Sequence, residues 1–185
     1  CSIAWNISWF MLQAAYVPYA IHDLGLDASG VGITLALYGV GMIVGALLAP
    51  RVVRALPFGQ AILLGPYFSV LAAVTMALTL FWPQGWVAAL SYFLYGAGPI
   101  LWVITSTTLR QTVTPRAMIG RVTSIVIVAS TGARPLGAAL GGLLGVYFPA
   151  SVSLWCVVLG FGMQAVIITA SKVRTLKRLP DPLPD

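Results

Sequence analysis

Arg134 stands inside an otherwise apolar run, 13 residues after Arg121, and no acidic residue lies anywhere between Asp27 and Asp181. A guanidinium presents five N–H donors and a permanent charge, which suits it to hold an anion rather than to make or break bonds. If the run is a membrane helix, 13 residues place Arg134 roughly 20 Å from Arg121, deep in hydrocarbon. Holding it there costs about 2.5 to 3.5 kcal/mol even on forgiving insertion scales, so it needs a carboxylate from outside this chain, an anionic ligand group, or water. The competing reading is a side chain that snorkels to the interface from a tilted helix. Pro135 follows directly and frees the carbonyl of Thr131, so a kink is expected beside the charge.

Two further sets have the spacing of a helical face. Asn6, Trp9, Gln13 and Tyr16 recur at intervals of three and four, and Tyr92, Tyr95, Pro99, Trp102 and Ser106 repeat in similar register, with Gly96 and Gly98 nearby. Amides and phenols cannot face lipid unsatisfied, so both faces must look onto protein or water. They can line a cavity and contact a ligand, or they can pack and hydrogen-bond between helices. Bond-making chemistry has no comparable set. The single histidine, His22, and the two cysteines, Cys1 and Cys156, form no catalytic, disulfide or metal pattern, and no phosphate-binding Gly-Lys-Ser/Thr loop is present. The expectation is a protein without enzymatic activity, metal or cofactor.

The elements that must position these residues follow from composition. With 59% hydrophobic residues, 8% charged residues and a mean hydropathy of +0.96, the chain is far more apolar than a soluble domain, in which about 25% of residues are charged. A membrane crossing takes roughly 20 apolar residues. Six are expected, at 2–21, 29–49, 60–81, 86–109, 122–145 and 150–171, forming a transmembrane unit over 1–171. Residues 172–185 form a basic, then Pro-rich, tail. Pro50 to Gly59 is expected to interrupt after the second span. Runs of this length fit helices rather than barrel strands.

Basic residues set the orientation. Arg51 and Arg54 follow span two, Arg110, Arg116 and Arg121 follow span four, and Lys172, Arg174, Lys177 and Arg178 follow span six, whereas the opposite loops contain none. By the positive-inside rule both chain ends face the cytoplasm. The net charge of +6 therefore reads as topology and contact with an anionic lipid bilayer, not as a nucleic-acid surface. The chain opens at Cys1, already within an apolar run, and reads as a fragment.

The spans divide into two triplets whose middle members are rich in glycine. Gly41 and Gly45 mark the second span, and Ala133, Gly137, Gly141 and Gly145 recur every four residues in the fifth, a smooth stripe for close helix packing. An odd number of spans per triplet makes the two repeats inverted, the arrangement of many secondary transporters. The fold class expected is all-α integral membrane, six transmembrane helices as two inverted three-helix repeats.

Ser29-x-x-Gly32 with Gly39-Val-Gly41-x-x-x-Gly45, Arg51-x-x-Arg54, Gly120-Arg121-Val122 and Pro135-Leu-Gly137-Ala-Ala-Leu-Gly141-Gly142 occur in order along the chain. In these motifs the chain resembles the C-terminal six-helix half of a twelve-helix major facilitator superfamily transporter, nearest the bacterial branch of enterobactin-type siderophore exporters and macrolide efflux proteins. The family's loop motif places an Asp before its first Arg, where this chain has Pro50. Arg51, Arg54 and Arg121 then read as cytoplasmic anchors. The resemblance implies an N-terminal six-helix half as partner, an inner-membrane location, alternating access, efflux of a small organic substrate, and cavity-facing first helices in each triplet. Asn6, Trp9, Gln13, Tyr16, Tyr92, Tyr95, Trp102 and Arg134 are the expected cavity residues. No span carries Asp, Glu or Lys, so a proton coupling site would belong to the other half. The alternative is a non-transporting six-helix scaffold, or a half that pairs with a copy of itself.

Overall fold

The computed structural model describes residues 1–180; the last five residues of the Pro-rich tail lie outside the described residues. Six helices follow one another: α1 Ser2–His22, α2 Ala28–Ala55, α3 Phe58–Leu78, α4 Gly85–Thr112, α5 Arg116–Tyr147 and α6 Ala150–Ala170, followed by a short 3-10 turn, Lys172–Thr175. There is no strand among the described residues. Short, chemically specific connections punctuate the helices. Gly25 takes a left-handed φ of 64° between α1 and α2, and the Asp27 side chain caps α2 by accepting from the Gly30 backbone N–H at 2.7 Å. Pro57, Pro115 and Pro149, each extended, precede α3, α5 and α6. A proline has no N–H to extend a preceding helix and fits the start of the next.

Two expectations change. Pro50 lies inside α2 rather than ending it, and the helix runs on to Ala55. Pro18, Pro66, Pro99 and Pro135 likewise sit inside α1, α3, α4 and α5, as membrane helices tolerate when neighbours satisfy the freed carbonyls. Five of the helices, α2 to α6, are long and apolar enough to cross a membrane by themselves. At 21 residues α1 is long enough, and its hydropathy is lowered by Asn6, Gln13 and His22. It is also well packed, with Leu12, Tyr16 and Ala20 fully buried.

The packing interlocks the two triplets. α1 packs on α5 and α6, α4 packs on α2 and α3, and α3 meets α6. The glycine-rich middle helices therefore do not pack on one another. Each lies against the first helix of the other triplet. At the α2–α4 crossing a Cβ on Gly41 would overlap the Phe93 carbonyl oxygen, one on Gly45 that of Ala97, and one on Gly96 that of Tyr38. At the α1–α5 crossing Gly137 and Gly141 meet the Ile7 and Met11 carbonyls in the same sense. Only a residue without a Cβ permits this approach. Gly145 does not share it: it is exposed, and a methyl group added there would have nothing within 4 Å, because α1 has passed off the stripe by that turn.

The outward faces of α2 and α5 carry Ile43, Leu47, Ile125, Val128 and Val146, all more than half exposed. Contiguous apolar exposure on this scale belongs against lipid or another protein face.

Candidate functional site

The α1–α5 crossing brings Asn6 to Arg134. The Arg134 Nε–H donates to Asn6 Oδ1 at 3.2 Å, and the guanidinium carbon lies 5.4 Å from the centre of the Phe10 ring, within cation–π range. Asn6 is only 7% exposed, and its amide nitrogen donates to the Ser2 carbonyl at 2.8 Å, which fixes the direction of its oxygen. The two terminal guanidinium nitrogens have no hydrogen-bond partner among the described residues. Asp23 and Asp27, the only carboxylates among the described residues, flank the turn after α1. Asn6 precedes Asp23 by 17 residues, roughly 25 Å along the helix. Nothing in the described chain neutralises Arg134.

Both residues border a cavity of about 250 Å³ to which all six helices contribute. Trp5 and Asn6 come from α1, Tyr38 from α2, Ser69 from α3, Trp102 from α4, Arg134 from α5 and Gln164 from α6. The Trp5 indole N–H donates to Ser69 Oγ at 3.2 Å, and Ser69 donates in turn to the Gly65 carbonyl at 3.1 Å. Gln164 is 1% exposed, and its Oε1 has no partner among the described residues. An unpaired buried amide oxygen is costly, about 1 to 3 kcal/mol, so this atom is an unanswered acceptor on a residue that lines the cavity.

The expected cavity residues divide. Asn6, Trp102 and Arg134 do line the cavity. Trp9, Tyr16, Tyr92 and Tyr95 are instead buried in the bundle core, and these four take the packing role that spacing alone left open. Trp9 stacks between Trp5, at 5.5 Å, and Tyr38, at 4.9 Å, and meets Tyr95 edge-on at 5.1 Å. Tyr16 packs against Tyr92 at 4.5 Å and donates to Thr34 at 2.5 Å, while Tyr92 donates to Gln13 Oε1 at 2.8 Å. Gln13 is half-buried in that pairing. The reason is chemical. A phenol with a partner across a helix interface satisfies its hydroxyl without water, so aromatic bulk and polarity can both be buried. Tyr95 is the exception, fully buried with its hydroxyl unpartnered among the described residues.

The other basic residues of the described chain lie at one end. Arg51 and Arg54 are on the last turns of α2, both at the surface, where Arg54 Nε donates to the Pro50 carbonyl at 3.1 Å. Arg121, expected in a loop, is on α5, because Pro115 starts that helix at Arg116. Trp5, Tyr38, Ser69 and Gln164 were missed as cavity residues. Signals pointed to two of the four: Trp5 precedes Trp9 by one helical turn beside Asn6, and Gln164 is the lone amide of α6.

A family model of the major facilitator type, described as transmembrane secretion effector, matches residues 10–181. No curated protein and no solved structure matches the chain.

Proposed function

The chain belongs to the transmembrane secretion effector family of major facilitator transporters, and from that membership we propose that it is the C-terminal six-helix half of a secondary active exporter of small organic molecules. In its motifs it resembles the enterobactin-type and macrolide exporters. The observation that carries the reading is Arg134, uncompensated within the described chain, hydrogen-bonded to Asn6 and facing a cavity to which all six helices contribute. A scaffold has no use for a mid-helix guanidinium at that insertion cost.

Several features support alternating access. Exchanging α1 with α4, α2 with α5 and α3 with α6 turns the main helix pairings into one another, as two inverted repeats require. The glycine crossings lock the two triplets into one body that rocks against an N-terminal half, which covers the exposed face of α5. The basic end of the bundle faces the cytoplasm of an inner membrane. With no carboxylate in any helix of this chain, the coupling proton is carried by the other half.

The test uses everted membrane vesicles from cells making the full-length protein, energised by respiration. Uptake is measured for a catecholate siderophore, a macrolide and an aromatic carboxylate, with Arg134→Ala and Arg134→Lys in parallel. The expected result is uptake of at least one compound that a protonophore abolishes and that Arg134→Ala lowers about tenfold or more, with the variant still monodisperse in detergent. Absence of energised uptake for all three, with Arg134→Ala affecting only stability, would favour the scaffold.

A further inference from the structure

Three properties of the cavity restrict what it can hold. Its charge is one-sided: Arg134 contributes a fixed positive charge, and both described carboxylates are near the far end of α1. A cation entering would meet repulsion with no carboxylate among the described residues near enough to offset it. The guanidinium is also oriented. Asn6 occupies Nε and the Phe10 ring lies near the guanidinium, which leaves the edge formed by the two terminal nitrogens. That edge is the one that grips a carboxylate or similar planar anion through two parallel hydrogen bonds. Finally, Gln164, buried to 1% exposure, presents an acceptor without a donor among the described residues.

We infer that this cavity is an anion-selective recognition site: it takes a small organic anion whose charged group is held by the terminal nitrogens of Arg134 and which also carries a hydroxyl or N–H donor for Gln164 Oε1. The site rests on the transport reading above and narrows its cargo. Trp5 and Trp102 supply the apolar walls for the body of the ligand. At about 250 Å³ the cavity is smaller than a drug-sized pocket and accommodates a group of one or two fused rings. Gln164 is a specificity residue here: it gives no charge, and it rewards a ligand that brings a donor because the alternative is an unpaired buried oxygen.

The test is equilibrium dialysis against the full-length protein in phosphatidylcholine nanodiscs, with empty nanodiscs subtracted. Three fluorescent probes share one skeleton: 6-hydroxy-2-naphthoate, 2-naphthoate and (6-hydroxy-2-naphthyl)methylammonium. The hydroxy-carboxylate should bind tightest and the ammonium probe about tenfold or more weaker, as expected from losing one charge-assisted hydrogen bond. Arg134→Gln should weaken both carboxylates by about tenfold. Gln164→Leu, close in volume, should erase the advantage of the hydroxyl and leave 2-naphthoate unchanged. The ammonium probe binding as tightly as the carboxylates overturns the inference without any variant, and so does an Arg134→Gln protein that binds carboxylates normally. Wild-type protein that binds neither carboxylate also overturns it, and leaves a carboxylate from outside the described chain or water as the partner of Arg134. Carboxylate binding without movement of any solute in vesicles keeps the site and removes the transport reading. Export of the ammonium probe in preference to the carboxylates does the reverse.

Discussion

Replacing Asn6 with Asp changes one atom at the Arg134 contact and converts a neutral acceptor into an ion-pair partner. At the observed 3.2 Å, unit charges attract by about 5 kcal/mol with an effective dielectric of about 20. Desolvating the new carboxylate takes back several kcal/mol, and the lost Asn6 N–H bond to the Ser2 carbonyl takes a further ~0.6 kcal/mol. The net expectation is a gain of about 1 kcal/mol in stability. In the Arg134→Gln background the same carboxylate is buried and unpaired, and should cost about 2 to 3 kcal/mol instead. A double-mutant cycle of Asn6→Asp and Arg134→Gln, read by denaturant unfolding in mixed micelles, should therefore give a coupling of about 3 kcal/mol. The internal carboxylate also neutralises the guanidinium from its Nε side, so Asn6→Asp should lower energised uptake by roughly a hundredfold while the protein becomes more stable, since about 2.8 kcal/mol of lost attraction for an anion is two decades in affinity. A coupling energy within about 0.3 kcal/mol of zero would refute the contact. Full coupling with undiminished uptake would refute the placement of Arg134 on the transport path.

Three further substitutions probe the frame around the site. Gly96→Val places a side chain where a Cβ alone would already overlap the Tyr38 carbonyl oxygen; it should force α2 and α4 apart at about 3 kcal/mol or more, whereas Gly142→Val, in open space, should leave unfolding unchanged. Tyr92→Phe removes the 2.8 Å bond to Gln13 but no packing, and should cost about 0.6 kcal/mol, up to about 1.7, in the same unfolding assay. Gly59→Val should release the segment after α6: Gly59 N–H donates to the Leu176 carbonyl at 2.8 Å, and a Cβ there would lie 2.5 Å from the Val173 and Arg174 carbonyl oxygens. Faster limited trypsin cleavage at Arg174 and Lys177, without a change in cleavage elsewhere, is the expected readout.

The helices were legible because hydrocarbon demands long apolar runs, and Arg134 was legible because one charge inside such a run has few physical excuses. Asn6 followed from the same rule applied to an amide. The division of the aromatic residues was not legible. Tyr92 and Trp102 share a helical register, but a phenol can satisfy its hydroxyl on Gln13, across an interface set by α1, and no local spacing encodes that partner. The helix ends were also obscure, because proline acts in two ways. Pro50 sits inside α2 while Pro115 opens α5, and which role prevails depends on whether neighbouring chain satisfies the freed carbonyl. Gly137 and Gly145 look alike in the repeat, yet only the first meets α1, because two crossing helices stay in contact for a limited number of turns.

The polarity of α1 connects the site to the stability of the fold. Asn6 and Gln13 place two amides within α1, yet each amide oxygen has a specific donor, Arg134 from α5 and Tyr92 from α4. The cross-triplet packing that holds α1 is therefore also what makes its amides tolerable in the bilayer. Conversely, Arg134 is tolerable on α5 because α1 offers it an acceptor and an aromatic face. Neither Asn6 nor Arg134 is well solvated by lipid alone, and together they leave an unneutralised guanidinium edge beside a small cavity. A leucine pair in place of Asn6 and Arg134 would pack without desolvation cost and serve a purely structural crossing better; on the proposed reading the polar pair is kept at the cavity because it binds the substrate.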